Sequence, residues 1–322
     1  MKVLITGGTG FVGSNLASFL AKKGDNVTIC DNNFRGKLDN QIKNIIEKYK
    51  IKYIECDLTD EKSLEKFEYD YDEIYHLAAI NGTANFYNIP DQVLRVNTLI
   101  VLNLLQWAVN NNIKSKILFS SSSETYAASI GKAIPTPEDV HLCIDNIYNP
   151  RFSYAGSKII GELMFVNYSK QYNLDTRIVR YHNIYGPRMG FEHVMPEFCL
   201  RAFLKKDPFA IHGSEQTRAF CYIDDAVRAT CLVMRTNKLK NEIVNIGNSV
   251  ETTIYDLAKM ILKLAKYDPK IKEMDPPVGS TPRRCPDISK LFKLTNFKSE
   301  VDILSGLKKT FDWYKEYYEN LS

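Results

Sequence analysis

The chain has 322 residues, of which 44% are hydrophobic and 25% charged, a composition typical of a folded globular protein rather than a disordered one. The 42 basic and 38 acidic residues nearly balance and form no long run of one sign that could follow a nucleic acid backbone. We therefore expect a small-molecule partner and no nucleic acid, in a chain long enough for one sheet-based domain and a smaller companion.

Cysteine usage and the N-terminal residues predict the compartment. The seven cysteines form no CxxC pair and are odd in number, which favours reduced thiols in a cytoplasmic protein and no metal site. The chain starts directly in an apolar strand pattern, without a signal sequence, and we find no apolar stretch of about 18 residues that could cross a membrane. We therefore expect no membrane partner.

Short apolar runs alternate with helical patterns through the first half of the chain. The patterns predict strands at 3–6, 27–30, 52–56, 73–77, 116–121 and 176–181, and helices at 11–23, 91–110 and 152–172. This alternation predicts an α/β fold with a Rossmann-type, doubly wound parallel sheet of six or seven strands. Ligands of such sheets bind beyond the carboxyl ends of the strands, so the loops after residues 6, 30, 57, 79 and 122 should line one crevice.

The pattern becomes shorter and less regular after about residue 182, with proline-rich stretches at 275–277 and 281–286. We predict a cofactor-binding domain at 1–181 and a smaller C-terminal α/β substrate lobe at 182–322, with elements of the second returning to the first. A final amphipathic helix is predicted near 304–318.

A glycine-rich segment joins the first strand directly to the first helix. Residues 6–13 have the sequence TGGTGFVG. Glycines at these positions let the backbone turn tightly and approach a pyrophosphate at the positive end of the helix. This placement predicts a dinucleotide site that includes Gly7, Gly10, Phe11, Val12 and Gly13.

Asp31 ends the second predicted strand, about 20 residues after the glycine segment. A carboxylate at this position accepts hydrogen bonds from the adenosine ribose and repels a 2′-phosphate, which favours NAD over NADP. Arg35 lies nearby, and its guanidinium could receive a phosphate, contact substrate or lie in solvent. We expect NAD as the cofactor.

Tyr154 and Lys158 lie four residues apart on one face of a predicted helix. The ammonium group can stabilise a phenolate and lower the pKa of Tyr154 towards neutrality, so that the phenolate accepts a proton from a hydroxyl group. At the end of the fifth predicted strand, Ser122 and Glu124 should supply a hydroxyl and a carboxylate to the same crevice. These four residues form the predicted catalytic group.

Together these motifs resemble the extended short-chain dehydrogenases, and among them the nucleotide-sugar epimerase and dehydratase family. The resemblance rests on the glycine segment, the pair at 57–58, the segment at 77–79, the serine run at 119–126 and the YxxxK motif. The downstream segments at 180–188 and 216–225 extend it to nearly the whole chain.

The resemblance implies a resident NAD that removes hydride from a sugar carbon, usually carbon 4, while Tyr154 removes the hydroxyl proton and Ser122 orients it. It implies that Lys158 also holds the nicotinamide ribose. Further contacts to the cofactor are implied for Asp57, Leu58, Leu77, Ala78 and Ala79. Contacts to the nucleoside diphosphate of the sugar are implied for Asn183, Arg218 and Arg284, with Arg283 able to exchange roles with Arg284.

The chain departs from the family's 4,6-dehydratases, which carry threonine, aspartate and glutamate where this sequence has Ser122, Ser123 and Glu124. Because Ser123 cannot readily donate the proton needed to eliminate water, dehydratase activity is disfavoured. Epimerisation of a nucleoside-diphosphate sugar is the first expectation, with 4-dehydrogenase and uronate decarboxylase as alternatives. An NAD-binding sensor of the same fold is a non-enzymatic alternative, which retention of the catalytic group argues against.

Several features remain unassigned. The segments at 79–87 and 149–153 match no defined substrate, and His182 and His193 could contact the sugar or simply fill space. The family commonly forms homodimers through the two long helices at 91–110 and 152–172, and we expect the same arrangement here.

Overall fold

A computed structural model of the chain describes residues 1–127, 129, 133–276 and 280–320, so Pro277 of the proline-rich stretch lies outside it. Its largest sheet has seven parallel strands in the order β11-β6-β5-β4-β1-β2-β3. These are β1 (Lys2–Thr6), β2 (Asn26–Asp31), β3 (Lys52–Glu55), β4 (Glu73–His76), β5 (Lys116–Ser122), β6 (Asp175–Tyr181) and β11 (Ile243–Ile246). The expected doubly wound parallel sheet is confirmed.

The strand order reverses between β1 and β4, where the chain winds outward in opposite directions. Thr6, the last residue of β1, is paired with Cys30 of β2 on one side and His76 of β4 on the other. The loops that follow these strands must separate at this point, which opens a crevice beyond their carboxyl ends.

Helices cover both faces of this sheet. Val3 and Ile5 of β1 pack in one apolar cluster with α1 (Phe11–Lys22) and α7 (Ile223–Arg235), whereas Leu4 packs with α4 (Pro90–Asn110) and α5 (Phe152–Tyr172). This alternation follows from the two-residue period of a strand, and burial of both faces explains why the strands are continuously apolar. Two shorter helices, α2 (Asn40–Tyr49) and α3 (Thr83–Asn88), follow β2 and β4.

The long helix α4 corrects one expectation. By length and composition alone it could span a membrane, although half of its most apolar stretch is buried inside the protein. A core helix buried against a sheet shows the same composition, so α4 gives only weak evidence of a membrane segment. The absence of a membrane partner and of nucleic acid stays a prediction.

The long helices also leave apolar side chains exposed. They are Leu94 and Leu102 on α4, and Ile160 and Leu163 on α5. The predicted homodimer through these two helices remains a prediction.

The rest of the chain builds smaller sheets beside the crevice. They pair β7 (Ile184–Tyr185) with β10 (Cys221–Tyr222), β8 (Phe209–His212) with β13 (Ile271–Met274), and β9 (Thr217–Ala219) with β12 (Glu251–Thr253) and β14 (Arg283–Arg284). The helices of this part are α6 (Val194–Phe203), α8 (Ile254–Leu264), α9 (Ser289–Thr295) and α10 (Ile303–Glu319). Because β11 and α7 belong to the central sheet and its covering layer, the predicted boundary at 182 is crossed more than once.

Candidate active site

A cleft of about 1690 Å³ opens at the carboxyl ends of the central strands and is closed on its far side by the smaller sheets. His182 and Arg283 lie outside it, and the other residues to which the sequence gave a catalytic, cofactor or substrate role all line it. They are Gly7, Gly10, Phe11, Val12, Gly13, Asp31, Asp57, Leu58, Leu77, Ala78, Ala79, Ser122, Glu124, Tyr154, Lys158, Asn183, Arg218 and Arg284. The fold therefore brings five separate loops of the first domain together with the second lobe.

The glycine segment folds back on itself between β1 and α1. Gly7 has a φ of +69°, and a Cβ there would lie 2.7 Å from the backbone nitrogen of Ala78. A Cβ on Gly13 would overlap the carbonyl oxygen of Gly7, whereas a Cβ on Gly10 would lie 3.2 Å from that oxygen. Gly10 caps α1 without a side chain, so the first amides of the helix face the cleft, as pyrophosphate binding requires.

The side chain of Asp31 is hydrogen-bonded to the backbone of the glycine-rich segment. Its carboxylate accepts hydrogen bonds from the amides of Thr9 at 3.1 Å and Asn33 at 2.9 Å. The carboxylate is thereby fixed at the end of β2, where an adenosine ribose would lie beside the helix terminus. The guanidinium of Arg35 points elsewhere, towards Gly82 and Gly190, which argues against its use for a 2′-phosphate.

Tyr154 and Lys158 are both buried on α5. The Lys158 ammonium donates a hydrogen bond to the Ser120 carbonyl at 2.7 Å and lies 5.7 Å from the centroid of the Tyr154 ring. Burial lowers the pKa of Lys158 to about 7. The two side chains are close enough to share one ligand, as expected of neighbours one turn apart.

The surroundings of Tyr154 differ from the expectation of a lowered pKa. Burial raises the pKa of the phenol, and the charge of Arg35 and a hydrogen bond with Ser122 oppose that effect. The Lys158 ammonium donates its hydrogen bond to a backbone carbonyl and not to the phenol, so it does little to stabilise the phenolate of Tyr154. The protein groups alone therefore do not lower the pKa of Tyr154, because burial outweighs the nearby charge, and the expected lowering stays a prediction for the site with bound cofactor.

Glu124 is held by two arginines from distant parts of the chain. Its carboxylate accepts hydrogen bonds from Arg284 at 2.5 Å and from Arg151 at 3.3 Å. Burial alone would raise its pKa, but the charges of Arg284 and Arg151 lower it to about 2. Glu124 is therefore ionised at neutral pH and is a poor proton donor. We call Glu124, Arg151 and Arg284 the glutamate cluster.

Two further arginines are candidates for contacts to a diphosphate, and only one of them, Arg218, faces the cleft. Arg218 donates to the carbonyl of Thr217 at 2.7 Å and to Gln216 Oε1 at 3.0 Å, which leaves its charge unneutralised at the cleft. Burial, followed by repulsion from Arg284, lowers the pKa of Arg218 to about 10. Arg283 instead binds Glu251 at 2.6 Å on the exposed outer side. Of the two neighbouring arginines, Arg284 is thus the one that faces the cleft.

Asn183 and the two histidines have different environments. Asn183 adopts a φ of +45° and donates to the carbonyl of Ala219 at 3.4 Å. His182 is buried away from the cleft, where its Nε2 is hydrogen-bonded to Asn245 Oδ1 at 2.9 Å, so it has a packing role. His193 lines the cleft near Arg35. Within the described ranges no three His, Cys, Asp or Glu side chains gather as a metal site, and the absence of a metal stays a prediction.

Sequence reasoning missed two residues that the fold brings to the cleft and left the role of a third open. Arg151, in the unassigned segment before Tyr154, binds Glu124. Phe86, in the unassigned segment after β4, stacks on the ring of Tyr154 with centroids 4.7 Å apart. Arg35, noted only for the loop after β2, approaches the opposite wall. None belongs to a spaced motif, although both unassigned segments directly precede or follow predicted site residues.

The cleft thus has the parts of a dinucleotide-dependent enzyme: a helix terminus for a pyrophosphate, a carboxylate for a ribose, and a buried tyrosine and lysine beside a serine. The model of the NAD-dependent epimerase/dehydratase family matches residues 3–247. The chain belongs to this family, is an NAD-dependent enzyme of the oxidoreductase type and uses NAD as its cofactor.

The relatives that are similar in sequence and the solved structure that is similar in fold carry out different reactions by name. A UDP-N-acetyl-alpha-D-glucosaminuronate decarboxylase of Bacillus cytotoxicus is 36% identical, over 98% of each chain. UDP-glucuronic acid decarboxylase 1 of Xenopus tropicalis is 32% identical, over 99% of this chain and 73% of the relative. Among solved structures, UDP-glucuronic acid 4-epimerase of Bacillus cereus is similar with a TM-score of 0.86 and 27% identity, over 99% of this chain and 100% of that one.

Proposed function

We propose that this enzyme decarboxylates a nucleoside-diphosphate hexuronate, with the sugar seated between Tyr154 and the glutamate cluster. Bound NAD supplies the redox chemistry by taking a hydride from sugar carbon 4 and later returning it. The observation that carries the proposal is the glutamate cluster, which keeps Glu124 ionised beside Tyr154.

The polypeptide's part in the reaction follows from the positions of the side chains. Tyr154, as the phenolate that the positive charge of oxidised NAD would favour, accepts the proton of the carbon 4 hydroxyl as hydride leaves, and Ser122 orients that hydroxyl. The resulting ketone lies β to the carboxylate, so the bond between carbons 5 and 6 can break, releasing carbon dioxide and leaving its electron pair as an enolate. A proton from solvent adds to carbon 5, and return of hydride and of the Tyr154 proton restores the alcohol.

Two other reactions of the family are less well supported. Elimination of water needs an acid near the leaving hydroxyl, but Ser123 is a buried hydroxyl and Glu124 is ionised. Inversion at carbon 4 needs the ketone to turn over so that hydride returns to its other face. A similar structure is a UDP-glucuronic acid 4-epimerase by name, so the charge of the sugar does not by itself prevent this turn, and the preference for decarboxylation over epimerisation rests on the sequence relatives.

Epimerisation, the first expectation from sequence, therefore remains the alternative. The relatives support the choice of decarboxylation, because both sequence relatives reported above are hexuronate decarboxylases by name. A diphosphate of the substrate would bind near Arg218, whose charge has no carboxylate partner among the described residues.

The experiment is incubation of the purified protein with NAD and separate UDP-glucuronate, UDP-N-acetylglucosaminuronate and UDP-glucose. We expect products of the two uronates that lack carbon dioxide, observed by mass spectrometry, and no change in mass for UDP-glucose. A product of unchanged mass but inverted carbon 4, seen by NMR, would replace decarboxylation with epimerisation. Accumulation of reduced cofactor in proportion to product would indicate net dehydrogenation instead.

A further inference from the structure

Arg35 is a cation of the cleft that forms no ion pair with a carboxylate of the described residues. It extends from the loop after β2 to the opposite wall, where a Cβ on Gly82 would lie 3.2 Å from its Nη1 and a Cβ on Gly190 would lie 2.8 Å from its Nη2. Its Nη1 is buried and has no hydrogen-bond partner in the described part of the chain. The two glycines leave the space that the guanidinium occupies.

Four other arginines of the cleft have partners. Arg151 and Arg284 bind Glu124, Arg188 binds Asp39 at 2.8 Å, and Arg218 binds backbone and amide oxygens. Arg35 forms no ion pair with a carboxylate of the described residues, and burial lowers its pKa. Because a partly buried charge without an ion pair is costly, this arrangement favours an anionic ligand at the guanidinium.

The surroundings of Arg35 indicate where that anion lies. The guanidinium is directed at Gly82, which caps α3, and Phe86 of that helix stacks on the ring of Tyr154 with centroids 4.7 Å apart. The charge of Arg35 also lowers the pKa of Tyr154, against the larger effect of burial. Arg35 is therefore close to the proposed proton acceptor at sugar carbon 4. In a hexuronate the carboxylate is attached to carbon 5, directly beside that position.

We propose that Arg35 binds the carboxylate of the hexuronate substrate through its guanidinium fork and thereby selects acidic over neutral sugars. The inference rests on the proposed function for the identity of the anion. A guanidinium matches a carboxylate with two parallel hydrogen bonds, which fixes orientation as well as charge. The same chemistry would suit a cofactor phosphate, and nearness to Tyr154 is what favours the sugar.

The test measures binding by calorimetry in wild type, Arg35→Met, Arg35→Lys and Arg283→Met, using UDP-glucuronate, UDP-glucose and NAD. The two nucleotide sugars share a diphosphate and differ in the carboxylate. We expect Arg35→Met to raise the Kd of UDP-glucuronate about 10- to 100-fold, the usual effect of a lost charge-assisted hydrogen bond. The Kd of UDP-glucose and of NAD should change less than about twofold, and Arg35→Lys should be intermediate.

Arg283→Met is the matched control, because Arg283 is paired with Glu251 outside the cleft and should leave all three affinities unchanged. Equal weakening of both nucleotide sugars by Arg35→Met would overturn the proposal and assign Arg35 to the diphosphate. Weakening of NAD would assign it to the cofactor, and no change in any affinity would also overturn the proposal. Folding is checked by the melting temperature of each variant.

Failure of this inference is distinct from failure of the proposed reaction. If wild type binds UDP-glucuronate through Arg35 but releases no carbon dioxide, carboxylate recognition stands and decarboxylation is wrong. If wild type releases carbon dioxide and Arg35→Met binds UDP-glucuronate as tightly as wild type, decarboxylation stands and the role of Arg35 is wrong.

Discussion

The cofactor half and the sugar half of the cleft are built in different ways. In the cofactor half, seven successive residues from Gly7 to Gly13 form the turn, and its shape depends on the absence of side chains. In the sugar half, Glu124 meets Arg151 and Arg284, which come from widely separated stretches of the chain. The first half depends on local backbone geometry and the second on the tertiary fold and on charge balance. Substitutions should therefore damage the two halves in different ways.

The largest effect is expected at Tyr154, where the two halves meet. Tyr154→Phe keeps the ring that stacks on Phe86 but removes the group that accepts the proton. We expect turnover of the hexuronate to fall about 10²- to 10⁴-fold, with NAD affinity retained. Steady-state product formation and cofactor titration measure the two quantities. Tyr168→Phe, on the same helix, is the control that should keep turnover, and near-native turnover of Tyr154→Phe would refute its role.

The cofactor half should be sensitive to a single methyl group at one glycine and tolerant at another. Gly13→Ala places a Cβ against the carbonyl of Gly7, whereas Gly10→Ala meets that oxygen at 3.2 Å. We expect Gly13→Ala to weaken NAD binding about 10- to 100-fold, the usual range for overpacking, and Gly10→Ala to weaken it much less. Equilibrium titration with NAD checks both variants. Equal effects at the two glycines would show that local overlap does not limit this loop.

The sugar half should respond to charge rather than to volume. Arg151→Met removes one of two cations from Glu124, so its pKa should rise and turnover should fall about tenfold, while Arg151→Lys should retain part of the activity. NAD affinity should not change, because Arg151 belongs to the glutamate cluster. The measurement is turnover against pH for the three proteins. A loss of NAD binding would show that the two halves are not independent.

The smallest expected effect is on acid stability. The pKa of Glu124 is lowered to about 2 from an ordinary 4.5, so its ion pairs stabilise the fold fully above about pH 4.5 and are lost as the pH falls towards 2. Between these values the unfolding free energy of wild type should fall more steeply than that of Glu124→Gln. The difference in slope is at most about 1.4 kcal/mol per pH unit. Urea denaturation at several pH values measures it, and parallel slopes would contradict the low pKa.

The same comparison explains how much could be predicted from the sequence. The strand pattern and the glycine segment are local, so the positions of β1 to β6 and the residues of the cofactor half could be predicted. The seventh strand, β11, has a short apolar sequence that could lie in either lobe. Its place beside β6 depends on the path of the chain and not on its own residues.

The sugar half could be predicted only in part. Ser122, Glu124 and Tyr154 lie in recognisable motifs, but neither the partners of Glu124 nor the reach of Arg35 follows from spacing. Arg284 was expected at the diphosphate, and the structure pairs it with Glu124. Long charged side chains can reach in several directions, and which one they take depends on tertiary neighbours that are far away in the sequence.

The position of β11 also has a consequence for synthesis of the protein. Translation delivers β6 many residues before Ile243–Ile246, so the outer edge of β6 stays unpaired while the intervening smaller sheets are made. An open strand edge of this kind can pair with other chains. We therefore expect nascent chains that stop short of residue 243 to aggregate or engage chaperones.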